Sequence, residues 1–389
     1  MKIWVIGRSY PTPQNKMRGS FELEQAKMLA KHGHDVTYLA VILHPVNKVK
    51  KWGYVHFEDG AVQVYIDSIF WAPERMHIHP KLLLAKTWST LFSKAEKGKG
   101  MPDVIHIHYP GMNGSPAVVA EYKQRGAKIV TTEHWTKVLT DSMDAYQRKQ
   151  LIEFSGIADE ILCVGEPLKR AIESITHTKK EIKIVPNIVS DLFQPSADKG
   201  RATEYHFIAV GRLAPIKQMD LLAETFAKTF RDEPNVFLDI VGGGSERKKI
   251  ERIIQQYHMP EQIRLTGTLS REETAKKVSQ SDCLICFSRL ETFGVPVIEA
   301  WACGIPVIAS DALGFREYWE DDLGCIVPSG NTNELSKAMK QIQERRFDPA
   351  YIHNFAHKYF SEETVYNLLM ESYFASRPEP VAKQSVTTV

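Results

Sequence analysis

Two glutamates eight positions apart, Glu291 and Glu299, are the residues whose type and spacing most clearly suggest chemistry. Between them lie Phe293, Gly294 and Val295, followed by a proline, a pattern typical of a glycine turn that enters a helix. Backbone N–H groups at the start of such a helix, with the positive end of its dipole behind them, can bind a phosphate. A carboxylate accepts two charge-assisted hydrogen bonds and suits the vicinal hydroxyls of a sugar or a ribose. The segment is a candidate site for a nucleotide-sugar; the alternative is a loop carboxylate and a solvated helix residue.

A second segment places Arg212 and Lys217 five positions apart, in a loop that follows a strand-like run and enters a helix. A guanidinium can bond two phosphate oxygens at once and an ammonium adds a compact charge, so this pair suits a diphosphate. Taken alone, such a pair is more often surface charge. Gly243 lies in a glycine-rich turn after a strand, and Gly19 precedes a helix, so both could let the backbone approach a ligand closely.

Three histidines fall at the ends of strand-like runs in the first half of the chain. His106 and His108 alternate with isoleucines, which predicts that a strand places both on one face, and His134 ends the run KIVTTEH. They could be structural, they could bind zinc, or His134 could lie beside a transferred sugar. No carboxylate at ligand spacing joins them, and Cys283 and Cys286 have no second pair, so the sequence favours no metal site.

Apolar runs typical of strands alternate with helix-like segments along the whole chain, which predicts parallel α/β units. At 389 residues the chain exceeds what one core usually supports, so we expect two domains. The predicted strands are KIWVIG, DVTYLA, AVQVYI, DVIHIH, KIVTTEH and EILCVG in the first half, and HFIAVG, NVFLDIVG, IRLTG, DCLICFS and PVIAS in the second. Facing domains of this kind bind ligands outside the carboxyl ends of their strands, in the cleft between them.

The segment VPNIVSDLFQP, residues 185–195, carries prolines near both ends and is the predicted connection. We expect an N-terminal domain over residues 1–187 and a C-terminal domain over residues 188–360. Residues 361–376 are expected to form a serine-capped helix that could cross back to the N-terminal domain. Residues 377–389 lack apolar periodicity and are expected to be disordered.

Composition limits the function classes. A net charge of +2 argues against a dedicated nucleic-acid binder, although the first half holds the surplus of lysine and arginine. The chain opens on a short strand-like run without the features of a signal peptide, and no apolar run is long enough to span a membrane. Five cysteines, an odd number in a long chain, fit a reducing compartment. These features predict a cytoplasmic protein.

Two lysine-rich segments of the basic half, residues 47–54 and 79–100, contain aromatic side chains. Such segments often lie on anionic lipid surfaces, so contact with the inner membrane surface is one expectation. Helical spacing of part of the second segment fits a core-facing helix equally well. The aromatic residues concerned are Trp52, Tyr54, Trp88 and Phe92, and the helically spaced ones are Leu84, Trp88, Leu91 and Phe92.

Taken together, these motifs resemble the retaining glycosyltransferases of family 4, which have the GT-B architecture of two facing Rossmann-like domains. The resemblance covers roughly residues 1–375. It is carried by the E-x7-E spacing of Glu291 and Glu299, by VGRLAPIK, by DVIHIH and TTEH, by KHGHDVT and by the connecting segment. Three positions depart from the common pattern: Gly19 is followed by serine, Gly165 replaces a common serine, and Thr292 replaces a small residue.

The resemblance implies a role for each matching residue. Glu299 would hold the ribose hydroxyls and Glu291 a hydroxyl of the transferred sugar, while Arg212 and Lys217 would neutralise the departing diphosphate. His134 would lie against the sugar on the acceptor side. The remaining implied donor contacts are made through backbone, at Gly19, Gly243, Phe293, Gly294 and Val295.

Transfer of this kind must stabilise negative charge on the leaving diphosphate, which preorganised cations and helix N–H groups can do. The chain has no Asp-x-Asp motif, so we expect no metal and no cofactor besides the nucleotide diphosphate sugar as co-substrate. Same-face attack is the expected route to retention, and a lipid-linked or nascent polysaccharide the expected acceptor. A nucleotide-sugar epimerase and an inactive nucleotide-sugar-binding protein are the alternatives.

Overall fold

The computed structural model of the chain describes residues 1–12, 19–45, 53–71, 81–196 and 203–375. These residues form two separate sheets, one from each half of the chain. Nearly all of the strand pairs are parallel, and their runs are almost continuously apolar because helices cover both faces of such sheets.

Among the described residues the N-terminal sheet has eight strands, in the order β3-β4-β2-β1-β5-β6-β7-β8. They are β1 (Lys2–Ile6), β2 (Asp35–Pro45), β3 (Gly53–Asp59), β4 (Val62–Trp71), β5 (Val104–His108), β6 (Lys128–Glu133), β7 (Glu160–Cys163) and β8 (Ile182–Ile184). The helices of this half are α1 (Ser20–Lys31), α2 (Lys81–Lys99), α3 (Pro116–Gln124), α4 (Thr136–Leu139), α5 (Ala145–Ile157) and α6 (Glu166–Thr176).

The C-terminal sheet has six parallel strands within the described chain, in the order β11-β10-β9-β12-β13-β14. They are β9 (Tyr205–Val210), β10 (Val236–Val241), β11 (Ile263–Gly267), β12 (Cys283–Cys286), β13 (Val307–Ser310) and β14 (Gly324–Val327). The helices are α7 (Met219–Thr229), α8 (Arg247–Gln256), α9 (Arg271–Ser279), α10 (Val295–Ala302), α11 (Thr332–Glu344), α12 (Pro349–Phe360) and α13 (Glu362–Phe374).

Helix α13 returns to the N-terminal sheet. Its Val365 and Leu369 are buried in the same core as Ile3 and Val5 of β1. At its C-terminal end, the Tyr373 hydroxyl lies 2.6 Å from His106 Nδ1 on β5. Helix α13, the last helix among the described residues, therefore completes the core of the first domain, and the predicted tail beyond it lies outside those residues.

Strands β3, β8 and β14 were not predicted from the sequence. β3 pairs with β4 in the antiparallel direction and forms the edge of its sheet, so that side is not purely parallel. β8 and β14 have only three and four residues, and such short runs carry little periodicity of their own. Cys283 and Cys286 do lie in a buried strand, β12, as expected from their alternation.

The aromatic residues Trp88 and Phe92 of helix α2 were expected either at a membrane surface or in the core, and their burial decides between the two. Trp88 and Phe92 are 2% and 0% exposed, and Leu91 is also buried. They pack around Trp4 of β1, with Phe92 at 5.2 Å from the Trp4 ring centroid. The membrane interpretation is therefore wrong for Trp88 and Phe92, which belong to the core. Trp52 lies outside the described residues.

Candidate active site

The predicted cleft residues follow the carboxyl ends of strands in both domains. In the C-terminal domain, Arg212 follows β9 and Gly243 follows β10. In the N-terminal domain, His134 follows β6, and Tyr109, which was not among the predicted residues, follows β5. Because the carboxyl ends of parallel strands share one edge of a sheet, each group of side chains is brought together by topology alone.

Lys217 and Glu291 form an ion pair across 74 positions of sequence, with the Lys217 ammonium donating to Glu291 Oε1. The same oxygen accepts the Ser288 hydroxyl at 2.8 Å. Glu291 is only 9% exposed, so its carboxylate is held in one orientation by a cation and a hydroxyl. The structure thus joins the residue expected to contact the diphosphate with the one expected to contact the sugar.

Glu299 lies in α10 and is 3% exposed. Its Oε1 accepts a 2.6 Å hydrogen bond from Nη1 of Arg271, the first residue of α9. Burial raises the pKa of Glu299 to about 7, although the Arg271 guanidinium acts in the opposite direction. Sequence reasoning missed Arg271. The sequence did contain an indication of it: a cation at the start of a helix, shortly after a strand that ends in glycine. A similar pattern had led to the selection of Arg212 and Lys217.

The start of α10 is fixed by its neighbours. Gly294 has φ of 104°, and a Cβ there would lie 2.9 Å from the Leu313 side chain, so both conformation and space require glycine. The Phe293 ring is 2% exposed and packs 4.6 Å from the Phe315 ring centroid. This buried ring anchors the backbone before Val295, the first residue of the helix, whose N-terminal end can bind an anion.

Arg212 is exposed, and within the described residues its guanidinium has no ion pair or hydrogen bond. Its loop is tied to the glycine-rich turn, since the N–H of Leu213 donates to the Gly243 carbonyl at 2.9 Å. A Cβ on Gly243 would lie 2.9 Å from the Thr268 hydroxyl. Three loops at the ends of β9, β10 and β11 therefore pack together, and Arg212 extends from them with its charge uncompensated.

His134 lies at the facing edge of the N-terminal sheet. Its Nε2 is 3.0 Å from His108 Nδ1, and its ring lies 5.0 Å from the Tyr109 ring. Burial, reinforced by the positive charge of Arg8, lowers the pKa of His134 to about 3, so the imidazole is neutral. A neutral imidazole can orient a hydroxyl group but does not supply a positive charge.

Glu133, which sequence reasoning did not select, is a carboxylate at the same strand end. Its Oε1 accepts the backbone N–H groups of His134 and Trp135, each at 2.9 Å. The residue is 1% exposed, and this burial raises its pKa to about 7. The carboxyl therefore shapes the loop that carries His134 and does not reach into the cleft. His106, fully buried against Thr132 and Tyr373, has a structural role.

Gly19 stands before α1 with φ of 83°, and a Cβ there would lie 2.2 Å from the carbonyl oxygen of Ser9. The glycine is therefore required by the close approach of two backbone segments. Most of the loop that joins them, residues 13–18, lies outside the described chain.

The two domains touch through backbone at Gly165, the residue before α6. A Cβ at this position would lie 1.9 Å from the carbonyl oxygen of Gly314 in the C-terminal domain. A serine, which is common here in the resembling family, has no room in this arrangement. The glycine at position 165, in place of that serine, thus permits close contact between the domains. Gly314 packs equally closely on the carbonyl of Thr292, next to Glu291.

Comparison with known proteins gives consistent matches to both halves. Residues 22–191 match the family described as Glycosyltransferase Family 4, and residues 194–358 match Glycosyl transferases group 1. The chain is 25% identical over 354 residues to N-acetyl-alpha-D-glucosaminyl L-malate synthase of Bacillus anthracis, covering 88% of each chain. It is 21% identical over 282 residues to the phosphatidylinositol N-acetylglucosaminyltransferase GPI3 subunit of Saccharomyces cerevisiae, covering 69% of this chain and 62% of that one. Anabaena HepE, solved in complex with UDP and glucose, shares the fold with a TM-score of 0.70 at 17% identity, covering 96% of this chain and 99% of that one.

Proposed function

This chain belongs to the glycosyltransferases of family 4, with the GT-B fold, and we propose that it is a retaining enzyme that transfers a sugar from a nucleotide diphosphate sugar to an acceptor hydroxyl. Two ion pairs carry the proposal. Lys217 pairs with Glu291, just before the first residue of α10, and Arg271 pairs with Glu299, within that helix. We assign the first pair to the sugar, the helix N-terminus to a phosphate and the second pair to the ribose of such a donor.

The leaving diphosphate is assigned to Arg212, Lys217 and the N-terminal end of α10. Arg212 has no partner among the described residues, and Lys217 can exchange the Glu291 carboxylate for a phosphate oxygen. Preorganised positive groups at a developing anion usually supply the largest single part of catalysis at such sites. We therefore propose that transfer needs no metal ion. Full activity in the presence of EDTA would support this, and restoration by added Mg²⁺ would contradict it.

Retention is proposed to occur by same-face attack, in which a leaving phosphate oxygen takes the proton of the acceptor hydroxyl. Glu133, the first-domain carboxylate nearest in sequence to His134, is 1% exposed and bonded to backbone N–H groups, so it is poorly placed to attack the sugar. NMR assignment of the product anomer tests retention, and detection of a glycosyl-enzyme adduct by intact-protein mass spectrometry would contradict same-face attack.

The acceptor is proposed to be a lipid-linked or nascent polysaccharide. A lipid-linked acceptor is supported by the similarity to the yeast relative, whose name specifies phosphatidylinositol. The name of the Bacillus anthracis relative specifies L-malate, which favours a small anionic acceptor as the second candidate. An acceptor screen with the identified donor, using lipid-linked sugars, oligosaccharides and hydroxy acids, separates these classes.

We also propose that the first turn of α2 contacts the cytoplasmic membrane surface. Leu82 is 88% exposed and Leu83 38% exposed, and Lys81 and Lys86 are exposed on the same helix. Within the described chain, no helix is long and apolar enough to cross a bilayer. Flotation with anionic liposomes should be lost in Leu82→Ser/Leu83→Ser and kept in Leu192→Ser, which alters a leucine that is 47% exposed elsewhere. Equal flotation of the wild type and of both variants would refute this contact.

The donor assignment is tested by calorimetric binding of a panel of nucleotide-sugars to the wild type and to Glu299→Ala. One donor should bind selectively, and Glu299→Ala should weaken it without loss of the folded state. The control is Glu344→Ala, which alters an exposed carboxylate at the end of α11. Unchanged binding in Glu299→Ala would refute the site.

Two further experiments test the alternative functions. Incubation with donor alone separates transfer from epimerisation, and absence of turnover with every acceptor would favour the inactive binding protein.

A further inference from the structure

Arg271 is the residue at which both domains and their connection meet. Its Nη1 donates to Glu299 in the C-terminal domain, and its Nη2 lies 3.8 Å from Glu24 Oε1 on α1 of the N-terminal domain. Its guanidinium carbon lies 5.3 Å from the ring centroid of Phe193, in the connecting segment. Among the salt bridges of the described residues, Glu24 to Arg271 is an ion pair that joins the two domains.

Only one of the three guanidinium nitrogens of Arg271, Nη1, forms a hydrogen bond within the described chain. Its Nε and Nη2 are buried and have no hydrogen-bond partner within the described chain. These two atoms form one edge of the guanidinium, the edge that binds a carboxylate with two parallel hydrogen bonds. The Glu24 carboxylate faces Nη2 at 3.8 Å, beyond hydrogen-bonding distance. Buried donors without partners are costly, so the arrangement gains free energy if the gap closes.

We propose that Glu24 and Arg271 form an interdomain clasp at the ribose end of the donor site, which closes when a nucleotide binds and positions Glu299 for the ribose hydroxyls. Closing the gap to hydrogen-bonding distance shortens the Nη2–Oε1 distance by roughly 1 Å. This local value is a lower limit for the closure of the rest of the cleft, which scattering measures. Arg271 then bonds Glu24 through its free edge and keeps its existing bond to Glu299 Oε1. The second carboxylate oxygen of Glu299 takes the ribose.

The clasp rests on the proposed function, because it gives Glu24 and Arg271 a role only if a nucleotide binds beside Glu299. It adds a first-domain residue to a donor site whose other charged members come from the second domain. The clasp also explains why Arg271 opens α9: from that position its side chain reaches Glu299 on α10 and Glu24 on α1. Glu24 and Arg271 are positioning residues in this scheme.

The test measures calorimetric binding of nucleoside diphosphates, with UDP, GDP and ADP as the first panel, and of the 2′-deoxy and 3′-deoxy forms of the one that binds. The variants are Glu24→Gln, Arg271→Gln, the double variant and Arg271→Lys. Glu121→Gln, which alters an exposed carboxylate on α3, is the matched control. Small-angle scattering of each protein, with and without the nucleotide, reports how far the domains close.

We expect Glu24→Gln and Arg271→Gln each to weaken the ribonucleotide roughly tenfold and to reduce its preference over the deoxy form. The double variant should be no weaker than Arg271→Gln, because both changes remove the same clasp. Arg271→Lys should restore part of the affinity. Nucleotide-induced contraction should disappear in Glu24→Gln and persist in Glu121→Gln.

Additive losses in the double variant, or full contraction and unchanged ribose preference in Glu24→Gln, would overturn the clasp while leaving the proposed function intact. If no nucleotide binds the wild type, the proposed function fails. The clasp, which needs a bound nucleotide to close, then fails with it.

Discussion

The Lys217 ammonium donates to Glu291 Oε1, so the cation assigned to the donor's diphosphate and the carboxylate assigned to its sugar neutralise each other without ligand. In the proposed site, a donor would replace both partners at once, with phosphate oxygens for Lys217 and a sugar hydroxyl for Glu291. A free nucleoside diphosphate satisfies only the first. The pair therefore couples recognition of the phosphate to recognition of the sugar.

Replacing Lys217 with methionine should lower kcat by about 10²- to 10³-fold, because a preorganised charge facing the leaving diphosphate is lost. It should also destabilise the protein by about 1–3 kcal/mol, since the largely buried Glu291 loses its counter-ion. Steady-state kinetics and chemical denaturation measure the two effects. The control is Lys228→Met, which removes an exposed ion pair with Glu224 and should change neither. A fully active Lys217→Met would exclude this residue from catalysis.

Donor affinity should rise with pH through about 7 as Glu299 ionises, because only the carboxylate accepts two hydroxyl donors and burial raises the pKa of Glu299 to about 7. The charged groups acting on it are Arg271 of α9 and Glu24 of α1. Binding measured from pH 5.5 to 8.5 should show this step in the wild type. The same step in Glu299→Gln would assign it to another group of the protein.

Stability of the ligand-free protein should depend on Glu299 in the opposite direction. The folded-state pKa is raised above the unfolded value of 4.5, so the protonated residue favours folding at low pH and this stabilisation is lost as pH rises through about 7. The contribution is on the order of 3 kcal/mol. Between the unfolded-state pKa of 4.5 and the folded-state pKa of about 7, the melting temperature should fall less with rising pH in Glu299→Gln than in the wild type. Parallel curves would refute the assignment.

Glu133→Gln should retain activity within a few-fold, because a glutamine oxygen can still accept the N–H groups of His134 and Trp135. Its stability above pH 7 should equal or exceed that of the wild type, since burial raises the pKa of Glu133 to about 7 and ionisation then destabilises the fold. Kinetics and thermal unfolding at pH 8 check both points. A loss of activity beyond 10³-fold would instead identify Glu133 as a nucleophile.

Gly165→Ser should hold the domains apart, because its Cβ would lie 1.9 Å from the Gly314 carbonyl. We expect a larger radius of gyration and a kcat reduced at least tenfold, since an open cleft admits water and separates the two halves of the site. Gly156→Ser is the matched control, at a position with open space around it. Unchanged scattering in Gly165→Ser would show that the contact adjusts without opening.

The alternation of apolar runs and helical segments determined the α/β class and placed the candidate residues after strands, because periodicity and turn residues are local properties of the chain. The spacing of Glu291 and Glu299 and of Arg212 and Lys217 likewise led to the prediction of a donor site. Strands β8 and β14 were missed because IKI has a lysine at its centre and GCIV opens on a glycine, so neither short segment is a continuous apolar run.

Tertiary structure alone decided which partners these residues meet. Nothing local joins Lys217 to Glu291, and Arg271 became part of the site only when α9 was placed beside α10 and opposite α1. The burial of Trp88 and Phe92 was ambiguous in sequence, since helical spacing is the same for a core-facing and a membrane-facing stripe. Contacts between remote segments depend on the packing of whole domains, which local patterns do not encode.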